Sequence, residues 1–216
     1  YNSLEKNIGT ALTLLSAVNL RGVLSAEKGM VNTNGYLTLI SNATITGSIG
    51  EIKTDADVVG TITAQRYLPA ALQNFVNLGS PITGLTLGDW NDDLVTTGFP
   101  GSDYPTYNFN SIYTYNEALA GDRNVGWVGA TSISNPLLTS KGYMVYMTGA
   151  ANTLDATGAF QKGNVSIPLS LTNTSSTGDG WNLMLNPYPS EVDWNQVVAN
   201  SPGVSTYYVY DSQSGS

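Results

Sequence analysis

The chain has 216 residues, of which 41% are hydrophobic and 11% charged, less than half the usual charged share of about 25%. Eight basic residues against sixteen acidic ones leave a net charge of -8, so there is no basic footprint for a phosphate backbone and nucleic acid is excluded as the expected partner. With no Cys and no His, the chain lacks disulfides, thiolate and imidazole metal ligands, Cys nucleophiles and every triad built on a His base.

The 23 Gly and 9 Pro, with abundant Ser, Thr and Asn, disfavour long helices and predict an all-β fold. No stretch approaches the 18 or more apolar residues that a membrane helix needs, so the chain is expected not to be membrane-embedded. Cysteine usage leaves the compartment open, because exported bacterial proteins also fold without disulfides.

The first fifty residues carry short alternating runs between small polar corners: Leu12-Thr13-Leu14, Val18-Asn19-Leu20, Val23-Leu24, Leu37-Thr38-Leu39-Ile40 and Ala43 to Ile49. Such runs suit solenoid-like rungs, each of which buries its apolar side against its neighbours. Asn34-Gly35 offers a second reading, a two-residue hairpin between 29–33 and 36–40, since both residues tolerate positive φ. Rungs are the favoured reading. Charge gathers in Glu51 to Gly60 and marks a boundary, which predicts solenoid-like rungs over 1–52 and a β-sandwich or jelly-roll over 53–216.

Beyond Thr61 lie eleven of the 13 Tyr, all four Trp and all four Phe. Strands are predicted at 61–67, 74–79, 111–115, 125–129 and 205–210. Gly142 to Met147 is apolar on both faces and predicts a central strand. Asn164 to Leu171 alternates with Val165, Ile167, Leu169 and Leu171 on one face, and Pro168 places it at an edge. Gly180 to Leu185 puts Trp181, Leu183 and Leu185 on one face, and the apolar faces assign Trp181 and Tyr143 to the core. One short helix is predicted after Ser190 as its cap, with Glu191 and Asp193 in the first turn and Ser201-Pro202-Gly203 as its stop; a shorter turn is expected at Leu87 to Asn91.

Taken in order, Thr61 to Pro69, Phe75 to Ile82, Gly88-Asp89-Trp90-Asn91-Asp92-Asp93, Ser111 to Glu117, Lys141-Gly142-Tyr143, Gly180-Trp181-Asn182-Leu183 and Leu185-Asn186-Pro187-Tyr188-Pro189 resemble the β-rich module near the C-terminal ends of large secreted surface proteins of Bacteroidetes. The similarity covers roughly residues 12 to 211. The resemblance implies type IX secretion, a cell-surface or extracellular destination and a role in adhesins or structural proteins, and it supplies no catalytic residues. In that family the module follows Leu/Thr/Gly-rich rungs and precedes a sorting domain. The chain departs from this pattern in having neither a sorting domain after Ser216 nor a signal peptide before Tyr1, as a processed piece of a longer protein would.

Two places hold candidate ligand chemistry. Asp89, Asn91 and Asp93, with Asp92 between them, crowd hard oxygen donors of the kind Ca²⁺ takes. The spacing is not that of an EF-hand, and helix capping by Asp89 with ordinary turn chemistry is the competing account. Gly101-Ser102-Asp103-Tyr104 would complete such a site if folding brought it near. Tyr104, Tyr107 and Phe109 sit in a Pro-containing loop without strand alternation, the best candidate for surface contact with sugar rings or protein.

Catalysis is not expected. Glu51, Glu117, Glu191 and eleven aspartates are paired by no motif of the sort glycoside hydrolysis requires, and adjacent Ser140 and Lys141 point to opposite faces of a strand. The Asn-x-Ser/Thr sites at Asn42, Asn164 and Asn173 are incidental in so polar a sequence. The sequence therefore predicts a non-catalytic structural or adhesive module whose partners are copies of itself, other surface proteins or polysaccharide. The alternative is a carbohydrate-binding module, with or without calcium, attached to a secreted enzyme.

Overall fold

The computed structural model describes all residues except 71–73, 173–179, 205 and 210–216. Among the described residues it holds thirteen strands, a 3-10 turn at Leu87–Trp90 and a single α-helix, so the fold is all-β and sandwich-like. Among the described residues no helix is long and apolar enough to cross a membrane. The chain divides into two units, one of Tyr1–Pro69, Ala151–Gln161 and Tyr188–Val209, the other of Ala70–Ala150, Lys162–Pro187 and Tyr210–Ser216.

In the first unit the chain winds through three stacked rungs. β1 (Leu4–Asn7), β2 (Leu12–Thr13) and β3 (Val18–Leu20) form the first; β4 (Val23–Asn32) and β5 (Leu37–Leu39) the second; β6 (Ser48–Ile52), β7 (Ala56–Val59) and β8 (Ile62–Leu68) the third. Every pairing between rungs is parallel. Leu24 lies opposite Leu4 and Ile49, Val31 opposite Leu12 and Val58, and Leu37 opposite Val18 and Ile62. Equivalent apolar residues therefore stack into columns, and the columns are the core. Leu24, Val31, Leu37, Ile49, Val58 and Ile62 are buried, whereas their first-rung counterparts Leu4, Leu12 and Val18 are half-buried because a rung covers them on one side only.

Corners separate the faces of each rung. Gly29 breaks β4 with φ +81, and a Cβ there would lie 2.3 Å from the Ile8 carbonyl oxygen, so only glycine fits. The buried Lys6 ammonium beside it donates to the carbonyls of Ile8 and Lys28. Asn34 and Gly35 both have positive φ and close a turn through the Tyr36 N–H and Thr33 carbonyl, but no hairpin follows. β5 runs parallel to β3 and β8, because stacking Leu37 and Leu39 into the columns buries them as pairing back onto β4 would not. Thr33 ties this corner to the next rung, its hydroxyl meeting the carbonyls of Val59 and Thr61 at 3.0 and 2.7 Å. The boundary expected at residues 52–53 falls inside the third rung, which continues through Leu68.

The two ends of the stack differ. At the third rung, β13 (Asn152–Gly158) pairs antiparallel with the whole of β8, and the Pro189 carbonyl accepts the Ile49 amide at 2.8 Å. At the first rung, β1 and β2 pair with β4 alone among the described residues. Tyr1 meets the edge of β3 there: its amino group donates to the Asn19 carbonyl and its own carbonyl accepts the Arg21 amide, at 2.7 and 2.9 Å. That alternation is the bonding pattern of a parallel ladder.

The helix α1 (Trp194–Ala199) starts four residues after the expected cap. Asp193, not Ser190, caps it, accepting the Asn195 amide at 2.9 Å, so Glu191 lies before the helix. An aspartate directly ahead of Trp194 reaches the free amides of the first turn; Ser190 is too far upstream. Of the strand expected at 205–210, residues 205 and 210 lie outside the described residues, and 206–209 form no strand. Tyr207 instead packs on Trp194, ring centroids 4.4 Å apart.

The second unit is built on an antiparallel sheet in the order β11 (Trp127–Gly129), β10 (Ile112–Tyr115), β12 (Tyr143–Met147), β9 (Asn74–Leu78). β12 is interior, as its two apolar faces require. On one face Tyr143 is buried edge-on to the fully buried Trp90, at 5.7 Å, and its hydroxyl accepts the Leu138 amide and donates to the Pro136 carbonyl. On the other, Tyr146 packs with Phe75 and Phe109 at 5.3 and 5.0 Å.

Two expected strands of this unit are not strands. Residues 164–171 and 181–185 carry no strand assignment. The amide and carbonyl of Ser170 are both taken by the side chain of Asn182, at 3.2 and 2.9 Å, and Pro168 has no N–H to offer, so side-chain bonds replace a ladder. The alternation survives only at half-buried Val165 and Ile167, while Leu169 and Leu171 are 42% and 75% exposed. Trp181, expected in the core, is 44% exposed.

Candidate functional site

The 3-10 turn Leu87–Trp90 starts the oxygen-rich segment and settles the role of its first acid. The Asp89 carboxylate turns back to accept the Thr86 amide and hydroxyl at 2.7 and 3.0 Å, which closes the turn and takes Asp89 away from the residues that follow it. The capping account of Asp89 holds.

Downstream, the loop carrying Asp103 folds onto Asn91. The Asn91 amide donates to Asp103 Oδ1 at 3.3 Å, and Asp103 Oδ2 accepts the Thr96 amide at 2.9 Å. The Thr96 hydroxyl lies between Asn91 Oδ1 and Asp103 Oδ2. Main-chain bonds from Gly98 to Tyr104 and from Tyr104 to Thr96 hold the two strands of this loop together. Thr96 is fully buried, so its amide needs the Asp103 acceptor.

Above this network opens a pocket of about 510 Å³ lined by Asn91, Asp92, Asp93, Leu94, Val95, Asp103 and Tyr104. Folding thus places the 101–104 loop beside the 91–93 segment. No group of three or more Asp, Glu, His or Cys side chains able to hold a metal ion forms among the described residues.

The three aromatic candidates separate. Tyr104 is 59% exposed at the rim of the pocket and Tyr107 63% exposed nearby, linked through the Tyr107 amide and Tyr104 carbonyl. Phe109 turns inward to Phe75 and Tyr146 and belongs to the packing of the sheet. The pocket thus presents an open tyrosine face beside carboxylate and amide groups.

A second site was not legible in the sequence. Glu117, just past β10, is 5% exposed, and its carboxylate accepts the Ser170 hydroxyl, the Thr172 amide and hydroxyl at 2.9 and 2.8 Å, and the Gly180 amide at 3.3 Å. These donors, the Ser170 hydroxyl foremost, hold the carboxyl below its ordinary pKa. Nothing local to Glu117 signals the arrangement, since its partners lie 53 to 63 residues away. Glu117 also borders a cleft of about 510 Å³ shared with Asn116, Ser140, Lys141, Ile167, Leu169 and Asn182.

No curated protein and no solved structure matches the chain. The family model described as "Domain of unknown function (DUF8693)" matches residues 4–214, a span that takes in both units, and the chain belongs to that family.

Proposed function

We propose that the protein is a non-catalytic structural and adhesive module of a secreted protein, displayed at the cell surface or outside the cell. The observation that carries this reading is the inequality of the two ends of the stacked rungs. At one end β13 pairs with β8 and the Pro189 carbonyl takes the Ile49 amide; at the other, among the described residues, β1 and β2 pair with β4 alone and the outer edge of β3 carries the main-chain bonds of Tyr1. A parallel edge with its main-chain groups turned outward takes a further strand, and the ladder bonds of Tyr1 on β3 favour the parallel register. The strand comes from another copy or from another surface protein, and contacts that do not close build a fibre or stalk. The low charge of 11% and the Thr, Asn and Gly content fit an extended β scaffold, and the likeness to type IX secretion cargo supplies the destination.

Immunogold labelling of unpermeabilised cells tests the location, and negative-stain imaging over rising concentration tests the assembly. Surface label with end-joined particles is expected. Label confined to the cell interior overturns the secreted reading, and lone particles at every concentration overturn self-assembly.

The pocket at Tyr104 favours a second reading, a carbohydrate-binding module attached to a secreted enzyme, with or without calcium. A glycan array probed with the native chain and with Tyr104→Ala and Tyr107→Ala, each with calcium and with chelator, decides it. Absence of any glycan signal removes this reading, and a signal indifferent to chelator removes calcium from it.

A further inference from the structure

The cleft beside Glu117 contains more hydrogen-bond donors than the fold uses. β10 ends at Tyr115 and its antiparallel neighbour β12 begins at Tyr143, so Asn116-Glu117 and Ser140-Lys141 leave the sheet at the same end and line one cavity of about 510 Å³. The side-chain acceptors of Glu117 and Asn182 are taken. The Glu117 carboxylate receives the four donors described above, and Asn182 commits its oxygen to the Ser170 amide and its nitrogen to the carbonyls of Ser170 and Gly180.

Three side-chain donors remain among the described residues that line it: the Lys141 ammonium, the Ser140 hydroxyl and the side-chain amide nitrogen of Asn116, whose oxygen is taken by the Ala118 amide. Lys141 makes no ion pair, the one such pair among the described residues being Lys53 with Glu51. Ile167, Leu169 and Leu183 contribute aliphatic carbons to the wall.

We propose that this cleft binds the carboxylate of an acidic saccharide. A uronic acid unit offers two anionic oxygens to the Lys141, Ser140 and Asn116 donors and the C–H face of its ring to Ile167 and Leu169. Glu117 stays ionised but has both oxygens bonded to its own donors, and Lys141 is left as the cation without an ion-pair partner at the cleft. This site is separate from the Tyr104 pocket and does not depend on the stalk reading.

Calorimetric titration of the 216-residue chain with a galacturonic acid disaccharide and with its neutral galactose counterpart tests the proposal. The acidic sugar is expected to bind roughly tenfold more tightly, the worth of one charge-assisted hydrogen bond, and Lys141→Gln is expected to erase that preference. Because Lys141 is exposed, the variant keeps the thermal midpoint of the native chain; Lys53→Gln, on the first unit, keeps the preference. Equal affinity for the two sugars, failure of both to bind, or a preference that survives Lys141→Gln overturns the proposal. Loss of binding in Tyr104→Ala with Lys141→Gln unaffected assigns the sugar to the other pocket and overturns it as well.

Discussion

Glu117 and Thr172, 55 positions apart, are joined twice: the carboxylate accepts both the amide and the hydroxyl of Thr172, at 2.9 and 2.8 Å. With Ser170 and Gly180 on the same carboxylate, this one side chain does for Ser170, Thr172 and Gly180 what a strand ladder would do, drawing them to the end of β10. It has a titration consequence.

The pKa of Glu117 is lowered in the folded state from about 4.5. The ionised form is therefore the one the fold prefers, and its contribution to stability is complete above the unfolded-state value and lost as pH falls through the folded one. Thermal unfolding followed from pH 7 to pH 3 should show a steeper loss below about pH 4.5 in the native chain than in Glu117→Gln. At pH 7 the variant should melt lower. Parallel pH curves for the two proteins would refute the assignment.

Gly29→Ala places a methyl group 2.3 Å from the Ile8 carbonyl oxygen at a φ of +81. The rung must open or the backbone must shift, and the expected cost is about 1–3 kcal/mol. Denaturant unfolding of the variant measures it, and an unchanged midpoint would mean that the corner is not as tight as described.

Position in the columns should govern sensitivity in the first unit. Ile62 is fully buried and Leu15 is 82% exposed, so Ile62→Ala is expected to cost roughly 2–5 kcal/mol and Leu15→Ala no more than about 0.5 kcal/mol. The two variants compared in one denaturant series provide the check.

Asp103→Ala removes the acceptor of the buried Thr96 amide and the partner of the Asn91 amide. An unsatisfied buried donor costs about 1–3 kcal/mol, and the loop that presents Tyr104 loses its anchor. Asp103→Asn keeps one acceptor oxygen and should fall between the native chain and Asp103→Ala in thermal midpoint. Backbone amide exchange at Thr96, faster in Asp103→Ala, is the direct readout.

Much of the framework was readable one residue at a time. Gly142 to Met147 is apolar on both faces, and a strand can satisfy that only in the middle of a sheet, where β12 lies. The runs at 12–14, 18–20 and 37–40 are too short to bury themselves, which is why they stack. Alternation misled at 164–171, where Pro168 and the side chain of Asn182 displace the ladder, and proximity misled at Ser190, where Asp193 lies closer to the free amides of α1. Trp181 followed the same pattern argument and is 44% exposed.

Local patterning and composition determined that this chain is built of strands, that those of its first part are short and that its aromatic residues concentrate in its second part, because those properties follow from side-chain periodicity and backbone preference within a few residues. The partner that each strand accepts was decided in three dimensions. Asn34-Gly35 serves a hairpin or a rung corner equally well, and only burial of Leu37 and Leu39 between β3 and β8 selects the corner. The meetings of Asp103 with Asn91 and of Glu117 with Thr172 are likewise tertiary: a carboxylate accepts whichever donors the fold brings to it, and its own neighbours in sequence do not name them.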